Sequence, residues 1–576
     1  MQIFKAGVFT VGYANGFLRR IKYGDVEVLR MIYMALRDHN WNTFGHMIQR
    51  EEIEKFPAGF KIKYECFNVS EEEKILKWNV QILGKDDGEI SFEIHGEVLK
   101  DILKNRAGLC ILHPIAETAG AACELTHTDG AISKSAFPVM ISAENPFQDL
   151  KDFRWQCKDR WYSLHYEGDA FETEDQRNWC DASYKTFCTP LSIPFPVLLK
   201  AGQKVHQKVT FKADAALPVI SGEEKAIEIS VLGSISPLPF IGLAASTESE
   251  SLSQDCIAAL RKLNLHHYRI EIKPANENWI DKFRNDCNMA EAVGIPLEVA
   301  LHIKQGVELS KVIETIASVK ERIKHIILLS RDETVTAQWL IDKAPSLKKE
   351  FPSALIGAGT DYNYRELNVN LFEGKALDFI SYSIDPQEHA TDDLTIIENI
   401  GGQYETVRSA QDLYPDCPGF HVSSLTLRKR FNPAATVTTD RILSNEKKAD
   451  PRQVTEFAAV FALGSIKSLS TANTNSVTFF QTAGRQGVIS LTGEKYPVYH
   501  VLQLILSMSD YKVRHTISSD SVSADALLLT KGNSANLILV NYTSAGQLIA
   551  FADKKYVVGP FEIKTIEGLT IENSNQ

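Results

Sequence analysis

Between residues 239 and 482 the chain repeats one unit eight times, a short aliphatic strand pattern followed by a longer helical one. The strand patterns fall at 239–246, 266–273, 296–303, 325–331, 354–360, 378–384, 419–427 and 476–482. Eight parallel strands in about 250 residues is the count and length of a (β/α)8 barrel, which carries its chemistry at the C-terminal ends of its strands. The fifth unit, ALIGAGTDYNYRELN, shows this pattern most sharply. Its small and aliphatic start gives way to Thr360, Asp361, Asn363, Arg365, Glu366 and Asn368, a set of donors and acceptors suited to a polyol.

On either side of this region the period changes to two. From residue 1 to about 230, segments such as FKIKYECFNV, ILKWNVQIL and GEISFEIHGEVL alternate between apolar and polar positions, with Asp87 and Gly88 as turn residues before Ile90, Phe92 and Ile94. The expectation is a multidomain α/β plus β protein. It has an N-terminal antiparallel β-sandwich (1–232), a central TIM-like (β/α)8 barrel (233–510) and a small C-terminal β domain (511–576). The stretch from 220 to 240 reads as a lightly apolar connector. Net charge −11, from 62 basic and 73 acidic residues, gives no general attraction to nucleic acid or an anionic membrane. Nine cysteines with no CxxC pair, no basic-then-apolar leader and no apolar run of about 18 residues suggest a reduced, cytoplasmic setting. Oligomeric state is not legible.

The barrel's strand ends define the candidate site. Strand two supplies Arg269 and Glu271, strand three Glu298 and His302, and strand four Arg331. Strand six closes in Tyr382, Asp385 and His389, and strand seven in Ser423, Ser424 and Arg428. Strand alternation lets only about half of these face the axis. The barrel resembles the large sugar-cleaving clan in architecture, but that clan needs a carboxylate at the end of strand seven, and VSSLTLRKR has none. A glycoside hydrolase acting on a plant-derived glycan therefore stands as an alternative, beside a non-catalytic carbohydrate-binding module.

Taken in order, GFLRRIKYGDVEVLRMIYMALRDHNWNT, NRAGLCILHP, DQRNWCDASYKTFCTPL, AGTDYNYRELN, the SLTLRKRFNP run and DPRQVTEFAAVFALGS resemble the D-apionate lactonase family of branched-pentose catabolism over nearly the whole chain. The resemblance implies a sandwich, a barrel and a terminal β domain, and hydrolysis of D-apionolactone, a small sugar lactone, to D-apionate. It brings no catalytic residue set with it, so the site rests on physical inference. Lactone opening needs a base for water, a donor for the oxyanion and a proton for the leaving alkoxide. Glu271, His302, Asp361, Glu366 and His389 are the candidates for acid and base. Arg269, Arg331 and Arg428 could hold the oxyanion, and Asn363, Asn368 and Tyr382 could bind substrate. No cofactor is expected. A divalent metal on Glu271, Glu298, His302, Asp361 and His389 is the competing design, but no HxH or HExxH spacing supports it.

Overall fold

The computed structural model describes residues 1–70, 72–214, 225–433, 435 and 441–570. The chain forms two compact units, one from residues 1–177 and 182–214, the other from 178–181, 225–433 and 442–570. Among the described residues no helix is long and apolar enough to cross a membrane.

In the first unit the strands pair into one seventeen-stranded network. Alternation dictates its packing. The strand Ile90–Val98 buries Ile90, Phe92 and Ile94 completely, and its partner Glu73–Gly84 buries Ile82 opposite Phe92 and Trp78 opposite Gly96. The turn between them requires Gly88, whose φ of +90° a side chain would strain. The long strands Val26–Asp38 and Ile102–Pro114 are buried along most of their length and pair with each other at the centre. His113 lies fully buried there against Phe137, Phe153 and Trp155, with Nε2 3.0 Å from Thr186 Oγ1.

The second unit contains the barrel. Its strands are β1 (Phe240–Ala244), β2 (His267–Ile272), β3 (Leu297–Ile303), β4 (Ile323–Ser330), β5 (Leu355–Gly359), β6 (Phe379–Ile384), β7 (Phe420–Leu425) and β8 (Ser476–Ala483). Each pairs in parallel with the next, and β8 pairs with β1 to close the ring. Helices return the chain between strands as the pattern requires. One, Trp279–Val293, ends at Gly294 in the left-handed conformation, and another, Gln254–Arg261, starts on a Ser253 cap.

The stretch that reads as a connector is itself a strand, Ile227–Pro237, while 220–224 lie outside the described residues. It pairs with Lys512–Ser518 and Gln547–Phe551, so the seven-stranded C-terminal sheet takes a strand from before the barrel. Its alternate residues Ile227 and Ile229 join a core of Leu528, Leu537, Leu539 and Ile549. Burial of this one face at the start of the strand, together with pairing on both edges, explains why a weakly apolar stretch holds a strand.

Candidate active site

Period-two alternation aims one set of β2 and β3 side chains at the barrel axis. Glu298 of β3 is fully buried low in the barrel, with Oε2 3.0 Å from His325 Nδ1 of β4, while Oε1 accepts from Ser423 Oγ and from Thr478 Oγ1 at 2.9 Å. His267 and His421 fill the same layer, and His421 stacks on Phe379. Burial pushes the Glu298 carboxyl up, but the neighbouring imidazoles and Arg269 outweigh it and hold the group well below its ordinary range.

Above this layer Arg269 of β2 is 1% exposed. Its Nη1 donates to the carbonyl and, at 2.7 Å, to the hydroxyl of Ser423, and its Nη2 donates to Asp361 Oδ1 at 2.7 Å. The same Asp361 oxygen accepts from Arg430 Nη1 at 2.6 Å, and Arg430 Nη2 donates to Glu271 Oε1. Lys273 holds the other Glu271 oxygen. His302 Nε2 stands 3.9 Å from Asp361 Oδ2, and neither atom has a hydrogen-bond partner although both residues are more than nine-tenths buried. Burial raises the Asp361 carboxyl, but the guanidiniums of Arg430 and Arg269 overcome it and hold the acid below its usual value. Burial also pushes His302 down to about 4, against the opposing pull of Asp361 and Glu271. At neutral pH the pair is therefore a carboxylate beside a neutral imidazole.

A small cleft opens beside Asp361 at the ends of β5 to β7. Asn363, Ser383, Asp385, Glu388 and Arg430 line it with Asp361. Asp385 departs from its neighbours. Burial, reinforced by Glu388, drives its carboxyl well above the ordinary range despite Lys429 nearby. Two acids on one cleft are thus pushed in opposite directions.

Of the expected site residues, the fold brings Arg269, Glu271, His302 and Asp361 together and sets Asn363 on the adjoining cleft, with Nδ2 3.4 Å from Glu388 and Oδ1 buried without a partner. The others engage elsewhere. Glu366 sits buried on the helix Tyr364–Val369 and accepts from Arg365. Asn368 donates to Asn178, and His389 Nδ1 lies 2.7 Å from Asp181 Oδ2, both partners on the 178–181 segment of this unit. Tyr382 has the outward phase of β6 and donates to Thr406 on the helix Ile400–Leu413. Arg331 lies exposed against Asn276, and Arg428 donates to Asp450. The guanidinium at the centre is Arg430, two residues beyond the one expected. Lys273 was also missed. The Arg, Lys, Arg run after β7 carried the signal, but a loop has no period to say which basic residue turns inward.

Ligand atoms of Glu271, His302 and Asp361 lie within 4.8 Å of one another. Arg269, Arg430 and Lys273 nevertheless already engage the two carboxylates, so three cations face two anions. A divalent ion would compete with bound guanidinium and ammonium groups, and this donor set suits it poorly.

The buried histidines also set the response to acid. Burial holds His267 at about 3, His302 at about 4 and His421 well below its ordinary value. In the unfolded chain each takes its proton near pH 6.5, so the unfolded state binds more protons as the pH falls below that value. Their stabilising contribution is complete above pH 6.5 and declines towards the folded values, by up to about 1.4 kcal/mol per pH unit for each group. The unfolding temperature is expected to fall steadily from pH 7 to pH 5 in scanning calorimetry. A flat profile would show that these imidazoles are not buried neutral.

Two family models match the chain, "D-apionate lactonase, N-terminal domain" over residues 1–216 and "D-apionate lactonase, TIM barrel domain" over residues 241–510. A curated protein of Brucella anthropi named D-apionate lactonase is 28% identical over 595 residues, which cover 98% of this chain and 96% of that protein. Among solved structures, a GH51 arabinofuranosidase from Xanthomonas axonopodis pv. citri aligns at TM-score 0.40 and 11% identity over 57% of this chain and 87% of its own. A beta-arabinopyranosidase aligns at TM-score 0.32 and 9% identity over 98% and 96%.

Proposed function

Because the chain belongs to the D-apionate lactonase family, we propose that it hydrolyses a sugar lactone, D-apionolactone to D-apionate, at the mouth of the barrel. The observation that carries this reading is the pair His302 Nε2 and Asp361 Oδ2, 3.9 Å apart, buried and each without a partner. One water bridges such a gap at ordinary hydrogen-bond lengths. In the reading, His302 takes a proton from that water as its oxygen adds to the lactone carbonyl, and Asp361 stabilises the imidazolium that results. Arg430, which lines the cleft and has N–H groups beyond the two engaged by Asp361 and Glu271, receives the oxyanion. Arg269 is a positioning residue, because its bonds run to Ser423 and Asp361.

Collapse of the tetrahedral intermediate breaks the ring C–O bond, and the departing alkoxide needs a proton. Asp385, on the same cleft with its carboxyl held above the ordinary range by burial and Glu388, supplies it. The product acid then ionises, and His302 and Asp385 return to their starting states by exchange with solvent. Asn363 reads a sugar hydroxyl. The N-terminal strands, which we read as a sandwich, are given a structural role.

The direct test is acid release from D-apionolactone, with ribono- and xylono-lactones beside it and spontaneous opening subtracted. Preferential turnover of D-apionolactone supports the assignment; turnover of aryl glycosides alone would replace it with a glycosidase. A chelator should leave the rate unchanged. Asp385→Asn should lower kcat on D-apionolactone by about 100-fold. The same variant should lose less than about 5-fold on dihydrocoumarin, whose phenolate leaves with little help from an acid. Equal losses on both substrates would remove Asp385 from the acid role.

A further inference from the structure

A second group of ligand-type side chains lies in the first unit, on the outer face of its sheet. The strands Ile90–Val98 and Lys204–Ala213 pair antiparallel, and the register sets His206 directly opposite His95. Their rings stack with centroids 4.4 Å apart and planes 19° from parallel. Glu93 precedes His95 by two positions, so alternation places it on the same face. Its Oε1 lies 3.1 Å from His95 Nε2 and 3.0 Å from His206 Nε2. Two imidazole nitrogens and a carboxylate oxygen thus point at one another from partly exposed side chains.

We propose that Glu93, His95 and His206 form a binding site for a late first-row divalent cation, with zinc the natural occupant. Tetrahedral zinc with bonds of about 2.0–2.1 Å sets its ligand atoms about 3.3 Å apart, close to both Glu93 distances. All three ligand atoms lie within 4.8 Å of one another, so side-chain torsions alone can close the third edge. The imidazole pair selects zinc, copper or nickel over calcium or magnesium, and exposure leaves a fourth position for water.

The contrast with the barrel site supports the choice. There, guanidinium and ammonium groups already engage the carboxylates. Glu93 Oε1 instead faces the two histidines themselves. A bound ion would tie together strands whose ligands, Glu93 and His206, are 113 positions apart in the chain. Because it binds only the paired strands, it would stabilise the folded form by mass action.

The test is equilibrium dialysis of the full-length, untagged protein against ZnCl2, followed by elemental analysis and a thermal shift assay. The wild type should hold one more equivalent of zinc than His206→Ala, and His95→Ala and Glu93→Gln should match that loss. At 100 µM ZnCl2 the wild type should gain about 2–4 °C in unfolding temperature, and none of the three variants should. All three should open lactone at the wild-type rate. The proposal is overturned if the wild type holds no more zinc than His206→Ala, or if Glu93→Gln and His95→Ala both keep the extra equivalent.

Discussion

His302→Ala should lower kcat for lactone opening by about 10²- to 10⁴-fold, the range for a lost general base, while KM changes little. The reasons are local. The imidazole is neutral because burial holds it at about 4, and its Nε2 lies 3.9 Å from Asp361 Oδ2. The base must be unprotonated and the acid Asp385 protonated, so kcat/KM of the wild type should rise with pH through about 4 and fall again at higher pH as Asp385, whose carboxyl is held above its ordinary range, loses its proton. Asp361→Asn keeps the shape and removes the charge that stabilises the imidazolium, so it should also lose at least about 100-fold. Steady-state kinetics with the unfolding temperature measured in parallel checks both variants. A His302→Ala enzyme that folds and keeps the wild-type kcat would remove this residue from the mechanism.

Arg430→Ala should cost about 10²- to 10³-fold in kcat, the scale of a lost oxyanion donor. It should also disturb its neighbours. Arg430 bridges Asp361 and Glu271, and its charge is a main counterweight to the burial that would otherwise raise both carboxyls. Without it both acids move upward, and the acidic limb of the pH profile should move up with them. Arg430→Lys should rescue little, because an ammonium is a single point and cannot span two carboxylates as a planar fork does. An Arg430→Lys enzyme with wild-type kcat and an unmoved pH profile would show that the bridge is incidental.

The elements that periodicity controls were legible in the chain. Eight aliphatic strands were read from the change of period at residue 239, and all eight form the parallel ring. Phase was readable in principle too: Arg269 and Glu271 are two apart on β2, and Glu298 and His302 four apart on β3, so each pair shares a face. The same rule places Tyr382 on the other face of β6, where it meets Thr406. Beyond the strand ends no period applies. Arg430 rather than Arg428 turns inward, and nothing in SLTLRKR distinguishes them. Long-range partners were equally hidden: Asn368 and His389 meet Asn178 and Asp181, about two hundred positions earlier in the chain. The C-terminal sheet's borrowed strand, Ile227–Pro237, escaped because its apolar content is weak and its partners begin at Lys512.

Whether His302 draws the proton from water can be asked by giving His302→Ala a substitute base. With D-apionolactone saturating and spontaneous opening subtracted, imidazole added to the variant should restore part of the lost rate in proportion to its unprotonated fraction, and should leave the wild type unaffected. A variant whose residual rate does not respond to imidazole at any pH, while His302→Ala remains folded and binds substrate as the wild type does, would contradict the proposed role of this residue.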